Sequence, residues 1–198
     1  HACERIARSA FVLARKRRRK VVAVHKANNF ILTDGLFLEA VRTVHAEFPD
    51  VELTDMIVDA AAAALVRDAS RFDVICSTNF YCDILSDLAS ELSGSLGLAG
   101  SINANATQCA AQAQHGSAPD IAGEDRANPT SLILSAAMML DFLAETRGLA
   151  HYAEAARGIE HAIDAALAEA ATRTADLGGS LGTAAFAARV ADALAVAD

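Results

Sequence analysis

The sequence predicts an α/β fold in which the strands of a parallel sheet alternate with helices. The first observation is three short runs predicted as strands, Val21–Val24, Val51–Met56 and Asp73–Cys76, of which the first and third are apolar and have the composition of buried strands. The second is that a longer segment with helical spacing of apolar residues follows each run. The third is size and composition. The chain has 198 residues, 53% of them hydrophobic and many of them alanine, which is enough for a sizeable core and favours helix.

Charge and composition exclude several classes of protein. The formal net charge of −8 argues against a nucleic-acid partner. No apolar run reaches the length of a membrane span, so no membrane partner is predicted. The four cysteines form no C-x-x-C pair, and we predict reduced thiols, no zinc site and a cytoplasmic location, or the mitochondrial matrix in a eukaryote.

The first predicted helix, Glu4–Lys20, ends in the basic run Arg15–Lys20. Such a run is typical of a nucleic-acid or localisation segment, and also of a solvated helix end where cations complement the dipole. The acidic balance of the whole chain favours the second interpretation. A turn at Thr33–Gly35 then opens a predicted helix, Leu36–Phe48, and an alanine-rich helix, Ala60–Val66, follows the second strand.

The chain is predicted to form two lobes, residues 1–93 and 94–198. The glycine-rich segment Ser93–Gly100 has the composition of a hinge between them, and Ser101–Gln114 is polar and predicted to be irregular. Three helices are predicted after the loop His115–Gly123, at Ser131–Leu143, Tyr152–Thr172 and Ala184–Ala197.

Asp83 and Asp87 follow the third strand and are four residues apart, so they share one face of the helix predicted there. Two carboxylates one turn apart repel each other unless a cation lies between them, and oxygen ligands suit a divalent ion. The alternative is a pair of solvated acids near a helix N-terminus, which the dipole favours. Spacing alone favours the solvated pair.

Two further stretches lie where ligands bind in α/β proteins. Lys26 and Asn28 follow the carboxyl end of the first strand, where a lysine is either a proton-transfer group or an ordinary surface residue. The polar loop from His115 leads to a helix start at which Asn128 suits the cap and Pro129 the first helical position. A loop that enters a helix N-terminus either holds an anion or nucleotide or is a plain connection.

Six motifs in order resemble the isocitrate/3-isopropylmalate dehydrogenase family, the metal-dependent, NAD(P)-linked β-decarboxylating dehydrogenases. They run over about a hundred residues and are stronger together than any one alone. The motifs are Val24-His25-Lys26-Ala27-Asn28, Thr33-Asp34-Gly35-Leu36-Phe37, Met56-Ile57-Val58-Asp59, Asn79 to Asp87, His115 to Gly123 and Ala127-Asn128-Pro129-Thr130.

The resemblance implies a two-lobed isopropylmalate dehydrogenase-like fold and a role for each matching residue. Asp83 and Asp87 match the aspartates that bind Mg²⁺ or Mn²⁺ together with the substrate. Asp59 matches a metal ligand, and Lys26 matches a proton-transfer residue that also contacts substrate beside Asn28. Both Asp59 and Lys26 match residues that reach in from the neighbouring subunit of a homodimer. The implied NAD site comprises His115, Gly116, Ser117, Ala118, Asp120, Ile121 and Asn128.

The cofactor that this loop implies is NAD rather than NADP. A carboxylate at Asp120 can accept hydrogen bonds from both adenosine ribose hydroxyls and would repel a 2′-phosphate, and Ile121 offers no compensating charge. The implied reaction is oxidation and decarboxylation of a 2-hydroxy di- or tricarboxylic acid, with isocitrate, homoisocitrate and 3-isopropylmalate as candidate substrates. The lobe of residues 1–93 would form the dimer and carry the metal and catalytic residues, and residues 94–198 would belong to the nucleotide-binding lobe.

The motifs correspond to the second half of the family pattern, and we expect the substrate-gripping arginines to lie on a segment that precedes His1. Cys82 stands where a glycine is common in the family, and Ala60 where an asparagine is common. Two hypotheses follow. In the first, the chain is the C-terminal part of a dehydrogenase. In the second, it is a non-catalytic subunit that pairs with a chain supplying the other half.

Overall fold

The structure, a computed structural model, describes residues 1–195, which divide into two compact units, one from His1 to Leu92 and one that begins at Ser93. Helices and strands alternate in the first unit, as the sequence predicts. Its elements are α1 Ala2–Arg15, β1 Lys20–His25, α2 Thr33–His45, β2 Glu52–Ile57, α3 Val58–Arg67, β3 Val74–Ser77 and α4 Asn79–Ser93.

The three strands form a parallel sheet in the order β2-β1-β3. Val24 of the central strand lies opposite Met56 of β2 and Ser77 of β3. The central strand is buried from Val21 to His25, because helices cover both of its faces, and this explains its unbroken apolar run. All three strands deliver their next residues to one edge of the sheet, which is where the candidate catalytic residues lie.

Two hydrophobic cores flank this sheet. On one side, α1 and α2 pack against it, with the Phe11 ring stacked between those of Phe48 and His45 at centroid distances of 5.2 and 5.4 Å. On the other side, α3 and α4 contribute Leu65 and Leu85 to a smaller core around Val24. The buried residues of α1 recur at the three- and four-residue spacing of an amphipathic helix. They are Ala7, Ala10, Phe11 and Ala14.

The basic run does not continue the first helix, and the predicted helix end at Lys20 is wrong. The helix stops at Arg15, and Arg19 adopts a left-handed conformation with φ of 61°. Beyond this end, the buried Asp73 carboxylate accepts the Arg17 guanidinium at 3.0 Å and the Arg18 backbone N–H at 2.9 Å. These ion pairs with the sheet show that the run is neither a free basic patch nor a merely solvated helix end.

The second unit combines a hairpin with three helices. Its elements are β4 Gly100–Ala104, β5 Cys109–Ala113, α5 Thr130–Arg147, α6 Ala150–Ala168 and α7 Thr183–Ala195. Phe186 and Val190 of α7 pack against Ile163 of α6 in its main core, with partly buried residues of α5 beside them. The three predicted helices are therefore present with shifted ends, and the predicted end of the last one at Ala197 lies outside the described residues.

The prediction of an irregular stretch at Ser101–Gln114 is wrong, because β4 and β5 pair there as an antiparallel hairpin. Its alanine, asparagine and glutamine residues carry little strand propensity, which hid it from the sequence. The fold supplies the missing stabilisation through α5. The Ser135 hydroxyl accepts the Ser101 N–H at 2.9 Å and donates to the Gln112 carbonyl at 2.6 Å.

Within residues 1–195, no helix combines the length and apolar character needed to cross a bilayer.

Candidate functional site

Lys26 is the first residue beyond β1, at the carboxyl edge of the sheet. Its ammonium pairs with the Asp59 carboxylate in the first turn of α3. The Lys26 side chain is 23% exposed and that of Asp59 62%, so the pair faces solvent. The hydrogen bond from Lys26 is the main cause that holds the pKa of Asp59 below its ordinary value. The structure therefore brings together two residues that the sequence singled out separately.

His25 braces the turn that presents Lys26, and the sequence analysis did not single it out as a site residue. The imidazole is buried, and its Nδ1 accepts the Ala27 N–H at 3.0 Å. The ring hydrogen is therefore on Nε2, which donates to Asp55 Oδ2 at 3.3 Å. Arg42 donates to the other oxygen of Asp55 at 3.2 Å. These contacts fix the backbone on one side of Lys26.

Asp34 holds the backbone on the other side. The sequence placed it in a turn before a helix, whereas α2 already begins at Thr33 and buries the carboxylate. Asp34 Oδ2 accepts the Lys26 N–H at 2.6 Å. Tyr81 of α4 also lies beside this carboxylate, and its pKa is raised first by burial and then by the neighbouring Asp34. Nothing local in the sequence marks this contact, because its partners are far apart along the chain.

Asp83 and Asp87 lie one turn apart on α4, and both are exposed. Their hard oxygen ligands fit Mg²⁺ or Mn²⁺. Within residues 1–195 no group of three or more histidine, cysteine, aspartate or glutamate side chains converges on one point. Asp59 is therefore not assembled with Asp83 and Asp87 in a single chain. The assignment of Asp59 to the site of a neighbouring subunit stays a prediction.

Asn28 is exposed two residues beyond Lys26, and its Nδ2 donates to the Asn29 side chain at 2.8 Å. Its predicted substrate contact also stays a prediction.

The predicted NAD loop is a short irregular segment after β5. His115 Nδ1 donates to the Gly116 carbonyl at 2.8 Å, and a single 3-10 turn spans Pro119–Ile121. Ala118, before this turn, has a left-handed φ of 45°. Gly116, Ser117, Ala118 and Asp120 are exposed, and His115 and Ile121 are half-buried. The Asp120 carboxylate is therefore accessible for a ribose.

The loop is tied to the start of α5 by two side chains. The Ser131 hydroxyl accepts the Gln114 N–H at 3.0 Å. Asn128 is only 7% exposed, and its Oδ1 accepts the Thr130 N–H at 3.0 Å. The predicted cap is one residue too early, because Pro129 is the N-cap residue of α5. The helix itself begins at Thr130, one residue after Pro129.

The amide of Asn128 is also held from its nitrogen, because Nδ2 donates to Asp176 Oδ2 at 3.0 Å. Burial acts to raise the pKa of Asp176, but hydrogen bonds from Ser95, Thr174 and Asn128 outweigh burial and lower that pKa. Gly97 packs directly on Asn128, and a Cβ at that glycine would lie 2.7 Å from Asn128 Cβ. The orientation of the amide is thus fixed by residues that the sequence analysis did not connect with it.

A parallel sheet with acids and a lysine at its carboxyl edge, followed by a polar loop that leads into a helix, is the arrangement of an α/β enzyme with a nucleotide cofactor. The chain matches the family model for isocitrate/isopropylmalate dehydrogenase over residues 1–194. The protein belongs to the isocitrate/isopropylmalate dehydrogenase family, and the resemblance drawn from its motifs is confirmed.

Two relatives and one solved structure illustrate the match. The chain is 51% identical over 194 residues to the isocitrate/homoisocitrate dehydrogenase of Thermus thermophilus, covering 98% of this chain and 56% of the relative. It is 45% identical over 194 residues to the 3-isopropylmalate dehydrogenase of Archaeoglobus fulgidus, covering 98% and 57%. A crystal structure of isocitrate dehydrogenase from Methylococcus capsulatus has a TM-score of 0.89 and 43% identity, covering 97% and 56%.

The fold prediction is thereby confirmed. The chain spans about half the length of the curated relatives it matches, 56% in the first case.

Proposed function

We propose that the chain is part of an NAD-dependent dehydrogenase that oxidises and decarboxylates a 2-hydroxy acid with Mg²⁺ or Mn²⁺. The observation that carries this proposal is the Lys26–Asp59 ion pair at the carboxyl edge of the sheet. Both residues match family positions that act in the site of a neighbouring subunit, and their pairing lets one chain present them together. Isocitrate, homoisocitrate and 3-isopropylmalate are the candidate substrates, in keeping with the names of the relatives.

The acids of the first unit are the proposed metal ligands. Asp83 and Asp87 would hold the ion from α4, and Asp59 of the partner subunit would complete the set. When bound, the divalent ion polarises the substrate hydroxyl and stabilises the enolate left by decarboxylation, and NAD accepts the hydride.

Lys26 is the proposed proton-transfer residue. Its Nζ pairs with the Asp59 carboxylate, while contacts with Asp34 and His25 fix the backbone from which the side chain extends. A lysine held in this way can pass a proton at Nζ without a large reorganisation. Asn28 would contact substrate beside it.

The proposed NAD site is in the second unit. The exposed carboxylate of Asp120 would accept the adenosine ribose hydroxyls, and the polar backbone of His115–Ala118 would face the cofactor. Asn128 would meet the adenine, with its amide already oriented by Thr130 and Asp176.

A homodimer is the proposed assembly, and large exposed apolar side chains in the first unit support it. Phe30, Ile31, Leu32 and Leu36 lie on the segment that leaves β1 and enters α2, and Phe80 and Ile84 lie on α4. Several large apolar side chains exposed in one unit are typical of a subunit interface. Leu32→Glu should give a monomer in light scattering, whereas Leu132→Glu, at an exposed leucine of the second unit, should not.

The function is tested by incubating the complete protein with NAD, Mg²⁺ and each acid in turn and following NADH absorbance. We expect NADH to form with one of the three acids. Little NADPH should form when NADP replaces NAD. The absence of NADH with all three, in a preparation that binds no Mn²⁺, would contradict the proposal. The alternative, a non-catalytic complementing subunit, is not favoured by the relatives. It predicts no NADH from the complete protein alone and NADH only after a second chain is added.

A further inference from the structure

His25 is a buried imidazole at the end of β1, directly before Lys26. Only 7% of the residue is exposed, and its Nδ1 accepts the Ala27 N–H at 3.0 Å. This hydrogen bond spans Lys26, because it joins a side chain on one side of that residue to a backbone group on the other. The imidazole therefore acts directly on the backbone of the proposed proton-transfer residue.

The peptide unit between Lys26 and Ala27 is held at both of its polar groups. Its carbonyl accepts the N–H groups of Asn29 and Phe30, both at 2.9 Å. Its N–H donates to His25. Because a peptide unit is planar, bonds at both of its polar groups fix the plane on the C-terminal side of the Lys26 Cα. This plane helps to set the direction in which the Lys26 side chain leaves the backbone.

Asp55 and Arg42 determine which ring nitrogen of His25 accepts. Nε2 lies 3.3 Å from Asp55 Oδ2, and Arg42 donates to Asp55 Oδ1 at 3.2 Å. The carboxylate holds the ring hydrogen on Nε2, which leaves Nδ1 with a lone pair for the backbone. The other tautomer would place an N–H on Nδ1 opposite the Ala27 N–H, and two donors cannot bond to each other. The three side chains therefore act in sequence, from α2 through β2 to the end of β1.

We propose that His25 is a positioning residue for Lys26, and that Asp55 holds its imidazole in the tautomer that this role requires. Nδ1 sets the direction of the Lys26 side chain and so the rate at which Lys26 passes a proton. A proton moves efficiently only when donor and acceptor lie within hydrogen-bond distance, so a small rotation of the Lys26 backbone slows the step. This inference rests on the proposed function, in which Lys26 is the proton-transfer residue.

Two substitutions separate the roles of the two nitrogens of His25. The amide of asparagine extends about as far from the backbone as Nδ1, so His25→Asn keeps an acceptor for the Ala27 N–H and loses the contact with Asp55. The amide of glutamine extends about as far as Nε2, so His25→Gln keeps the contact with Asp55 and loses the acceptor. Both variants remove the imidazole and leave a neutral polar side chain.

Two further variants provide a reference and a control. Lys26→Met gives the loss of activity expected when the proton-transfer group is absent. His45→Asn is the matched control, because His45 is also an imidazole of the first unit, bonded through Nε2 to the Val51 carbonyl at 2.8 Å and stacked on Phe11. For each variant of the complete protein, kcat and KM for NAD are measured from NADH absorbance in H₂O and in D₂O, together with the melting temperature.

We expect His25→Gln to lower kcat by about 10- to 100-fold, since a displacement of about 1 Å is enough for a loss of that size. The ratio of kcat in H₂O to kcat in D₂O should rise, because proton transfer becomes the slow step. His25→Asn should recover most of the lost kcat and the wild-type ratio. KM for NAD should be unchanged in both variants, because the His115–Ile121 loop lies in the second unit. His45→Asn should lower the melting temperature with kcat unchanged.

The positioning role is overturned if His25→Gln keeps the wild-type kcat, if His25→Asn loses as much kcat as His25→Gln, or if kcat falls only with the folded fraction. If His25→Gln does not fold, Asp55→Ala decides, because the Asp55 side chain is 46% exposed and its loss frees the ring to change tautomer. We expect a several-fold lower kcat in Asp55→Ala, and the wild-type kcat there overturns the role.

Failure of the proposed function gives different results. A wild-type protein that forms no NADH with any of the three acids overturns that function, as does Lys26→Met with the wild-type kcat. An inactive Lys26→Met beside an unchanged His25→Gln overturns only the positioning role.

Discussion

The Lys26 ammonium, at the end of β1, and the Asp59 carboxylate, in the first turn of α3, form an ion pair across 33 positions of sequence. The pair joins a strand end to a helix start at the edge of the sheet where ligands bind in α/β proteins. Its members had been singled out from separate motifs. Their contact indicates that the two act as a unit.

Replacing Asp59 with asparagine tests that unit. We expect Asp59→Asn to lower kcat at least about tenfold, since partners of catalytic and metal-binding groups contribute effects of this size. The melting temperature should change little, because the pair is partly exposed and such pairs contribute little to stability. The control is Glu47→Gln, which breaks the exposed Arg8–Glu47 pair and should leave kcat unchanged. Wild-type kcat in Asp59→Asn would refute the role of the pair.

Asp83→Asn tests the metal assignment. Loss of one carboxylate oxygen and one charge should raise the Mn²⁺ dissociation constant at least about tenfold, as hard cations prefer charged oxygen ligands. The matched control is Asp164→Asn, an exposed aspartate on α6 of the second unit. Isothermal titration with Mn²⁺ measures both variants. Equal affinities in Asp83→Asn, Asp164→Asn and wild type would show that the pair on α4 is solvated surface.

The lowered pKa of Asp73 predicts how the free energy of unfolding depends on pH. Burial acts to raise the pKa of Asp73, but the hydrogen bonds from Arg17, Lys20 and Arg18 outweigh it and lower that pKa. A lowered pKa in the folded state means that Asp73 stabilises the fold above the ordinary aspartate pKa of about 3.9. This contribution is lost as pH falls through the lowered value.

Melting curves recorded between neutral pH and about pH 2 measure this loss of stability. This range of pH includes the region below the ordinary aspartate pKa, where the loss occurs. Asp73→Asn should cost about 1–3 kcal/mol at neutral pH, as for a buried hydrogen-bonded charge that is removed, and should flatten the acid limb. Asp50→Asn, which breaks the more exposed pair with Arg15, should give a smaller change. An unchanged acid limb in Asp73→Asn would contradict the assignment.

Gly97→Ala tests the support of Asn128. The new Cβ would lie 2.7 Å from Asn128 Cβ, so the amide must shift. We expect weaker NAD binding in fluorescence titration, with Mn²⁺ binding unchanged because Asp83 and Asp87 lie in the first unit. Gly158→Ala on α6 is the control, because its Cβ would meet only Leu194 at 3.5 Å and should raise helix stability by about 0.5–1 kcal/mol. Equal NAD affinity in both variants would argue against the proposed contact.

The sequence pattern predicted those strands and helices whose own side chains determine their secondary structure. β1 and β3 are apolar runs rich in β-branched residues, and all three strands of the sheet lie within a residue or two of their expected positions. The β4–β5 hairpin was missed because its stability comes from Ser131 and Ser135 of a later helix rather than from its own side chains. The end of α1 was misplaced for a similar reason, since Arg17, just after the helix, pairs with Asp73, which lies 56 positions further along the chain.

The candidate site shows the same division. The motifs identified Lys26, Asp59, Asp83 and Asp87 by resemblance. They did not identify the bracing residues His25, Asp34 and Tyr81, because these act through contacts between distant segments. A buried polar side chain leaves no periodic signal, and its partners can be found only once the chain has folded.

The strand order β2-β1-β3 also constrains how the protein is made. β1 precedes both of its partners along this chain, and its last pairing with β3 joins Val24 to Ser77. In a nascent chain β1 can pair with β2 once residue 57 has emerged, but its other edge stays open until residue 77 has emerged. Helices α1, α2 and α3 can form earlier from local contacts. Chaperone demand during translation should be concentrated in this interval.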